Sequence, residues 1–221
     1  MLVAIEGIDG SGKGTQTRLL EKRLLDAGLK VNMFSFPRYS ESFFGREVGG
    51  YLDGQFGLLN QVHPKFSSLL YALDRFETGP QIEDALKLGH IVICDRYIGS
   101  NIAHQCARMP ANKVEEMEAW IRTVEEKILH TRIPDINIFL DIDVEQSIKL
   151  VAEKEKRVYT EKIHDLHEAS SDHLENALMQ FRRLAKSNNW ITVSCSHPNG
   201  KMRKALDISQ EIYSHIQIYN D

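Results

Sequence analysis

The chain has 221 residues, of which 42% are hydrophobic and 26% charged, and its formal net charge is −4. At this size roughly 70% of the unfolded surface is buried on folding, so no disulfide or metal is needed as a staple. The slightly acidic balance leaves no electrostatic footprint for nucleic acid, and no apolar run approaches the length of a membrane helix.

Cys94, Cys106 and Cys195 lie far apart without a C-x-x-C pair, which argues against a disulfide framework and against a zinc site. The first apolar run is short and is interrupted by Glu6, unlike a secretory signal. The expected location is the cytoplasm.

The run Leu2-Val3-Ala4-Ile5 turns through Gly7, Gly10, Gly12 and Gly14 and continues into TQTRLLEKRLL. That order predicts a buried strand, a glycine-rich loop and a helix. Such a loop suits a phosphate. Glycines let successive N–H groups converge on one concavity at the positive end of the helix, and Lys13 adds a mobile point charge. The template G-x-x-x-x-G-K-[ST] is met at Gly7, Gly12 and Lys13, but Gly14 stands where a hydroxyl residue is usual, and Thr15 follows it. The GKGT form resembles the loop of adenylate kinases. The candidate nucleotide loop is therefore Gly7, Ile8, Asp9, Gly10, Ser11, Gly12, Lys13, Gly14 and Thr15, with Thr15 as a candidate metal ligand.

The helix is expected over 15–27, stopped by Gly28. A strand over 31–36 ends in Pro37-Arg38-Tyr39-Ser40. Arg38 is either a solvated loop charge or, lying past the carboxyl end of a strand, a ligand contact. A short helix over 42–53 and a loop over 54–60 precede a long helical stretch. Pro64 opens that stretch, and Pro80 is expected to kink or break it. Tyr71 and Arg75 share one face of it, with Ser67 a turn earlier. An aromatic and an arginine so placed can stack a flat ring and clamp a phosphate; the plainer alternative is a core tyrosine and a surface ion pair.

HIVICD (90–95) is a continuous β-branched run, as in a central parallel strand, with Cys94 a small buried hydrophobe. It leads directly into Asp95-Arg96-Tyr97. In a phosphate-loop protein a carboxylate there can hold magnesium or its waters, and Arg96 can hold a second phosphate. Ser100, His104 and Gln105 follow on a predicted helix.

An amphipathic helix is expected over 112–130, its acidic residues forming a solvated face. A strand (135–141) and a helix (144–152) come next, then a charged stretch, 154–171, with Lys154, Lys156, Arg157 and Lys162. That composition suits a linker or, in a phosphoryl-transfer enzyme, a lid. A helix (172–186), a strand (190–194), a turn SHPNG (196–200) where an adenine could rest, and a helix (202–216) complete the chain. Alternating strands and helices without repeats or linkers predict one α/β domain over 1–221. It would have a doubly wound parallel sheet of about five strands with helices on both faces, and a lid at about 153–171.

GIDGSGKGTQ (7–16), FPRY (36–39), LLYALDRFE (69–77) and DRYIGSNIAHQ (95–105) together resemble the thymidylate kinases, phosphate-loop enzymes that phosphorylate dTMP with ATP. The resemblance covers nearly the whole chain. It implies that Lys13 and the loop hold ATP, that Asp9 meets the sugar or an acceptor group, and that Tyr71 stacks on thymine. It further implies that Arg75 bonds the base, that Arg96 and Arg38 meet the acceptor phosphate, and that Ser100 and Gln105 line the base pocket. Asp95 would act on Mg2+. The loop carries no arginine, as in the branch that supplies a catalytic arginine from the lid; Arg157 is the choice, with Lys154 and Lys156 in reserve. His104 stands where the family has Tyr or Phe against the deoxyribose, which bears on discrimination against a 2′-hydroxyl. The family also implies a homodimer through helices, which the apolar stretch Phe66 to Leu73 permits. Alternatives are a kinase of another acceptor such as dUMP, dCMP or a deoxynucleoside, a phosphate-loop ATPase switch, and an inactive paralogue serving as a binding module. A switch needs no second pocket, so the Tyr71/Arg75 face and the DRY stretch weigh against it.

Overall fold

The computed structural model of the chain describes residues 1–58, 61–157 and 171–220, the side chains of 153–157 and 218–220 excepted. Five strands, β1 (Leu2–Glu6), β2 (Val31–Ser35), β3 (Ile91–Asp95), β4 (Ile136–Asp141) and β5 (Trp190–Ser194), form one sheet in the order β2-β3-β1-β4-β5. Every pairing in it is parallel. The three central strands are almost wholly buried, whereas the edge strands β2 and β5 keep exposed positions. This is the burial expected of continuous apolar runs in a sheet covered on both sides. Among the described residues the helices are α1 (Lys13–Asp26), α2 (Phe43–Leu52), α3 (Pro64–Lys87), α4 (Ile98–Cys106), α5 (Val114–Arg122), α6 (Val144–Arg157), α7 (Ser171–Leu184) and α8 (Ala205–Asn220). The five-stranded α/β sheet expected from the sequence is present.

One large apolar core unites the sheet with the helices around it. A small satellite, Val48, Tyr51 and Leu52, lies between α2 and α3, and Tyr71 packs against it. All three cysteines are buried thiols. Burial pushes the Cys106 and Cys195 thiols up to about 12, outside the range of a useful nucleophile.

Local expectations are corrected at three places. Pro80 does not break its helix: α3 runs through it for 24 residues. Pro80 is exposed, Gly79 before it has no Cβ to clash with the ring, and the carbonyl left without a donor, that of Phe76, lies on the solvent side. The single helix expected over 112–130 is instead a 3₁₀ turn, then α5, then a π-helical stretch over Thr123–Ile128. Its acidic residues are not all solvated, because Glu125 is fully buried. Finally, α6 continues past residue 152 to Arg157. The lid expected over 153–171, and with it the side chains of Lys154, Lys156, Arg157 and Lys162, lies outside the described residues.

Candidate active site

Ile5 of β1 and Asp95 of β3 are paired in register, so the loops that leave these strands open onto one crevice at the sheet's carboxyl edge. The first is the glycine-rich loop. Gly12, at φ 88°, is the N-cap of α1. A Cβ on Gly10, at φ 75°, would lie 2.4 Å from the Ser147 carbonyl oxygen, so glycine is required there for both conformation and space. Lys13 folds back over the loop, and its Nζ donates to the Ile8 carbonyl at 2.7 Å. Burial, reinforced by Arg96 and opposed by Asp9, Asp95 and Glu6, pushes the Lys13 ammonium down to about 8. Gly14 faces Asp95: a Cβ there would stand 3.1 Å from the carboxylate Oδ2. The absent side chain therefore leaves Asp95 open toward the loop. Thr15 is exposed at the start of α1.

The second loop is Arg96-Tyr97. Arg96 has φ 64°, a conformation that costs a non-glycine residue energy. Its guanidinium forms an ion pair with Asp9 and approaches His104 Nε2 at 3.5 Å. Burial disfavours the Asp9 charge, but Arg96, Lys13 and His104 outweigh it and hold the carboxyl well below the usual carboxylate range. His104 in turn stacks on His173 of α7, with ring centroids 5.5 Å apart. Burial, then Arg108, lowers the His173 pKa, while Asp9 opposes the shift.

Between α3 and α4 lies a cavity of about 160 Å³, far larger than the roughly 10–15 Å³ that one water needs. Asp9, Tyr71, Arg75, Arg96, Ser100, His104 and Gln105, all singled out in the sequence, line it together with Phe36, Pro37, Tyr39, Tyr97 and Asn101. Tyr71 combines both of its expected roles, packing on the satellite core and bordering the cavity. Arg75 is 2% exposed; its ion pair is buried, with Glu125, and its guanidinium lies 5.8 Å from the Tyr97 ring. Ser100 donates its hydroxyl to Glu6, which also accepts from the Tyr97 N–H at 3.1 Å and so anchors the start of α4. Burial raises the Glu6 pKa against the pull of Ser100, Arg96 and Arg75. Arg38 is the predicted residue that stands apart. Its side chain bonds Glu41, Thr78 and Gln81, and it does not border the cavity.

Asn101, Glu6 and Glu125 were not anticipated as site residues. Asn101 lies one helical turn before Gln105, so the helical period that pairs Ser100 with His104 also reaches it. Glu6 was read only as an interruption of an apolar run. Glu125 carried no signal, being one of two adjacent acidic residues on an amphipathic helix. Among the described residues no group of three or more His, Cys, Asp or Glu side chains is arranged to hold a metal ion.

A phosphate loop and a second, arginine-lined cavity opening on one crevice define a phosphate-loop nucleotide-binding protein with room for a second ligand. The family model for thymidylate kinase matches residues 5–206. The thymidylate kinase of Mycobacterium tuberculosis is 34% identical over 146 residues, 66% of this chain and 67% of that protein. A probable thymidylate kinase of Archaeoglobus fulgidus is 33% identical over 179 residues, 80% of this chain and 82% of that one. The structure of thymidylate kinase from Candida albicans superposes with a TM-score of 0.74 at 21% identity, over 99% of this chain and 92% of that one, a likeness of fold. The chain belongs to the thymidylate kinase family.

Proposed function

We propose that this chain transfers the γ-phosphoryl group of ATP to dTMP, giving dTDP and ADP. Asp9 carries the proposal: a residue of the phosphate loop, it is paired with Arg96 of the cavity, so donor loop and acceptor pocket meet at one carboxylate. Lys13 and the loop N–H groups would cradle the ATP phosphates, with adenine toward the turn at 196–200. That turn adjoins the loop through Cys195, whose Sγ lies 3.8 Å from the Ser11 carbonyl. Tyr71 would border the base, Arg75 would bond it, and Arg96 would take the acceptor phosphate. Two anions must approach end to end, so charge cancellation and alignment do the catalytic work. The attacking phosphate is already an anion and needs no general base. Arg157, at the carboxyl end of α6, would add the further positive charge.

Magnesium fits at Asp95, a hard carboxylate donor made accessible by Gly14 and flanked by the loop; substrate phosphates and water would complete its shell. When bound it would neutralise phosphate charge. The exposed Phe66 and Phe76 with half-buried Leu69 and Leu73 form an apolar stripe on α3 suited to a second copy of the chain, and light scattering should give the mass of two chains.

The direct test is ADP formation from ATP with and without dTMP, repeated with dUMP, dCMP, a ribose analogue and EDTA. Formation should require dTMP and stop on chelation. ATP turnover indifferent to any monophosphate would point to the switch alternative and end the proposal. The imidazole of His104 beside the cavity makes the ribose analogue the informative competitor.

ATP affinity should also depend on pH. The free enzyme's Lys13 titrates near 8, and phosphates bind its charged form. Binding should be flat below that pH and weaken by up to about tenfold per unit above it, with proton uptake visible by calorimetry in buffers of different ionisation enthalpy. Lys13→Met should bind weakly at every pH and lose the slope. An unaltered slope in Lys13→Met would assign the titration to another group.

A further inference from the structure

One wall of the cavity is the segment after β2, which contributes Phe36, Pro37 and Tyr39. The Phe36 N–H bonds the Asp95 carbonyl at 3.0 Å, the last tie to the sheet, and the backbone is then irregular until α2 begins at Phe43. A polar seam along α3 holds this segment. Asp74, Glu77, Thr78 and Gln81 recur at three and four residues, hence on one helix face. Glu77 accepts the N–H groups of Phe43 and Phe44 at 2.9 and 3.1 Å. Thr78 and Gln81 accept from the Arg38 guanidinium at 3.4 and 3.0 Å. Glu77 and Gln81 are exposed, so water competes with their bonds, whereas Asp74 is 0% exposed. Its Oδ2 accepts the Arg38 N–H at 3.0 Å and its Oδ1 the Ser42 hydroxyl at 2.5 Å. Arg38 sits between Pro37 and Tyr39, so the first bond fixes the backbone between two cavity-lining residues. Ser42 Oγ in turn accepts from the Gly45 N–H at 2.9 Å and caps α2. The next residue of α3, Arg75, lines the cavity itself.

We propose that Asp74, which does not line the cavity, is a positioning residue for the acceptor: it seats the segment 37–42 so that Pro37 and Tyr39 stand against a bound nucleoside monophosphate. Arg38 then serves this wall through its N–H, while its guanidinium clamps the outside of the segment. The inference rests on the proposed acceptor site and adds to it a residue that touches no ligand. The seam also dictates which replacements the carboxylate tolerates. A backbone N–H can only donate, so the bond to Arg38 needs an acceptor at residue 74. A serine hydroxyl both donates and accepts, and the Arg38 carbonyl, 3.3 Å from Ser42 Oγ, offers it another acceptor. Asparagine would keep the Arg38 bond with its amide oxygen and give its amino group to Ser42, whose hydroxyl turns to that carbonyl. Alanine keeps neither bond.

The test is dTMP binding by calorimetry together with steady-state rates. Asp74→Ala should weaken dTMP binding and raise its KM about tenfold, with kcat and the KM for ATP within about twofold of the parent. Asp74→Asn should recover most of the lost affinity. A lower melting temperature and active fraction with no rise in KM for dTMP would mean support of the fold alone and overturn the inference. Equal rises in KM for dTMP and ATP would overturn it too, as would an Asp74→Asn variant as impaired as Asp74→Ala. Should Asp74→Ala fail to fold, Ser42→Ala asks the same question, since it removes one tether and a helix cap, a loss the chain can bear. It should raise KM for dTMP roughly threefold, and an unchanged KM there would equally overturn the inference. Absence of dTMP-dependent ADP formation in the unaltered protein would sink the proposed function itself, a result distinct from all of these.

Discussion

Arg96→Ala should lower kcat/KM for dTMP by about 10³-fold or more, the scale of an arginine that balances charge in phosphoryl transfer. Two effects add. The acceptor phosphate loses its cation, and Asp9, now without its partner, presents a bare carboxylate to that phosphate. Lysine should rescue poorly, because a point charge cannot bridge Asp9 and a phosphate as a planar fork does. Stability separates two variants that both lose the ion pair to Asp9. At φ 64° this residue holds a conformation that costs a non-glycine side chain on the order of 1 kcal/mol. Arg96→Gly should therefore melt no earlier than Arg96→Ala while being as inactive. Initial rates with varied dTMP, paired with thermal melts, read both. A loss of less than tenfold in Arg96→Ala would remove the residue from the chemistry.

The second large effect is on folding. Glu125→Ala should cost about 3–5 kcal/mol, because it leaves the Arg75 guanidinium buried without its anion. It also strips Asn101 of an acceptor at 2.8 Å. A buried pair is weak evidence of net stabilisation, since well-packed apolar side chains in both places often do as well. Arg75→Met combined with Glu125→Leu should thus recover most of the lost stability in urea titrations while dTMP affinity stays low. That contrast separates the structural role of the pair from the functional role of Arg75. If Glu125→Ala costs under about 1 kcal/mol, the cation has found another partner or water, and the pair does not hold the cavity wall.

Much of this arrangement was legible from residue order alone. Continuous apolar runs gave the central strands, because a strand covered on both faces has no polar positions to interrupt it. The glycine spacing gave the loop, because few other residues accept the backbone at Gly10 and Gly12. Tyr71 and Arg75 were found as a shared helix face, but their spacing could not say whether the face met a cavity or the core, and Tyr71 meets both. Arg38 lay correctly past β2, yet position along a chain does not tell where a long side chain turns, and Glu41 and Gln81 take it. Glu125 was out of reach for a sharper reason. Acidic residues next to one another on an amphipathic helix are solvated by default, and only a change of period would turn one of them inward.

That change of period has a consequence for how the chain tolerates insertions and deletions. In the widened turn after α5 the Leu129 N–H reaches back five residues to Val124, and neighbouring carboxylates part company, Glu126 toward Arg122 at the surface and Glu125 toward Arg75 inside. The stretch behaves as though one extra residue were spliced into regular winding. Excising a single residue there would return the stretch to regular winding and leave the flanking elements in phase, but it would remove the widened turn that directs the inward carboxylate to the guanidinium, although no cavity-lining position had been touched. A relative that lacks this extra residue would have to neutralise its arginine from somewhere else.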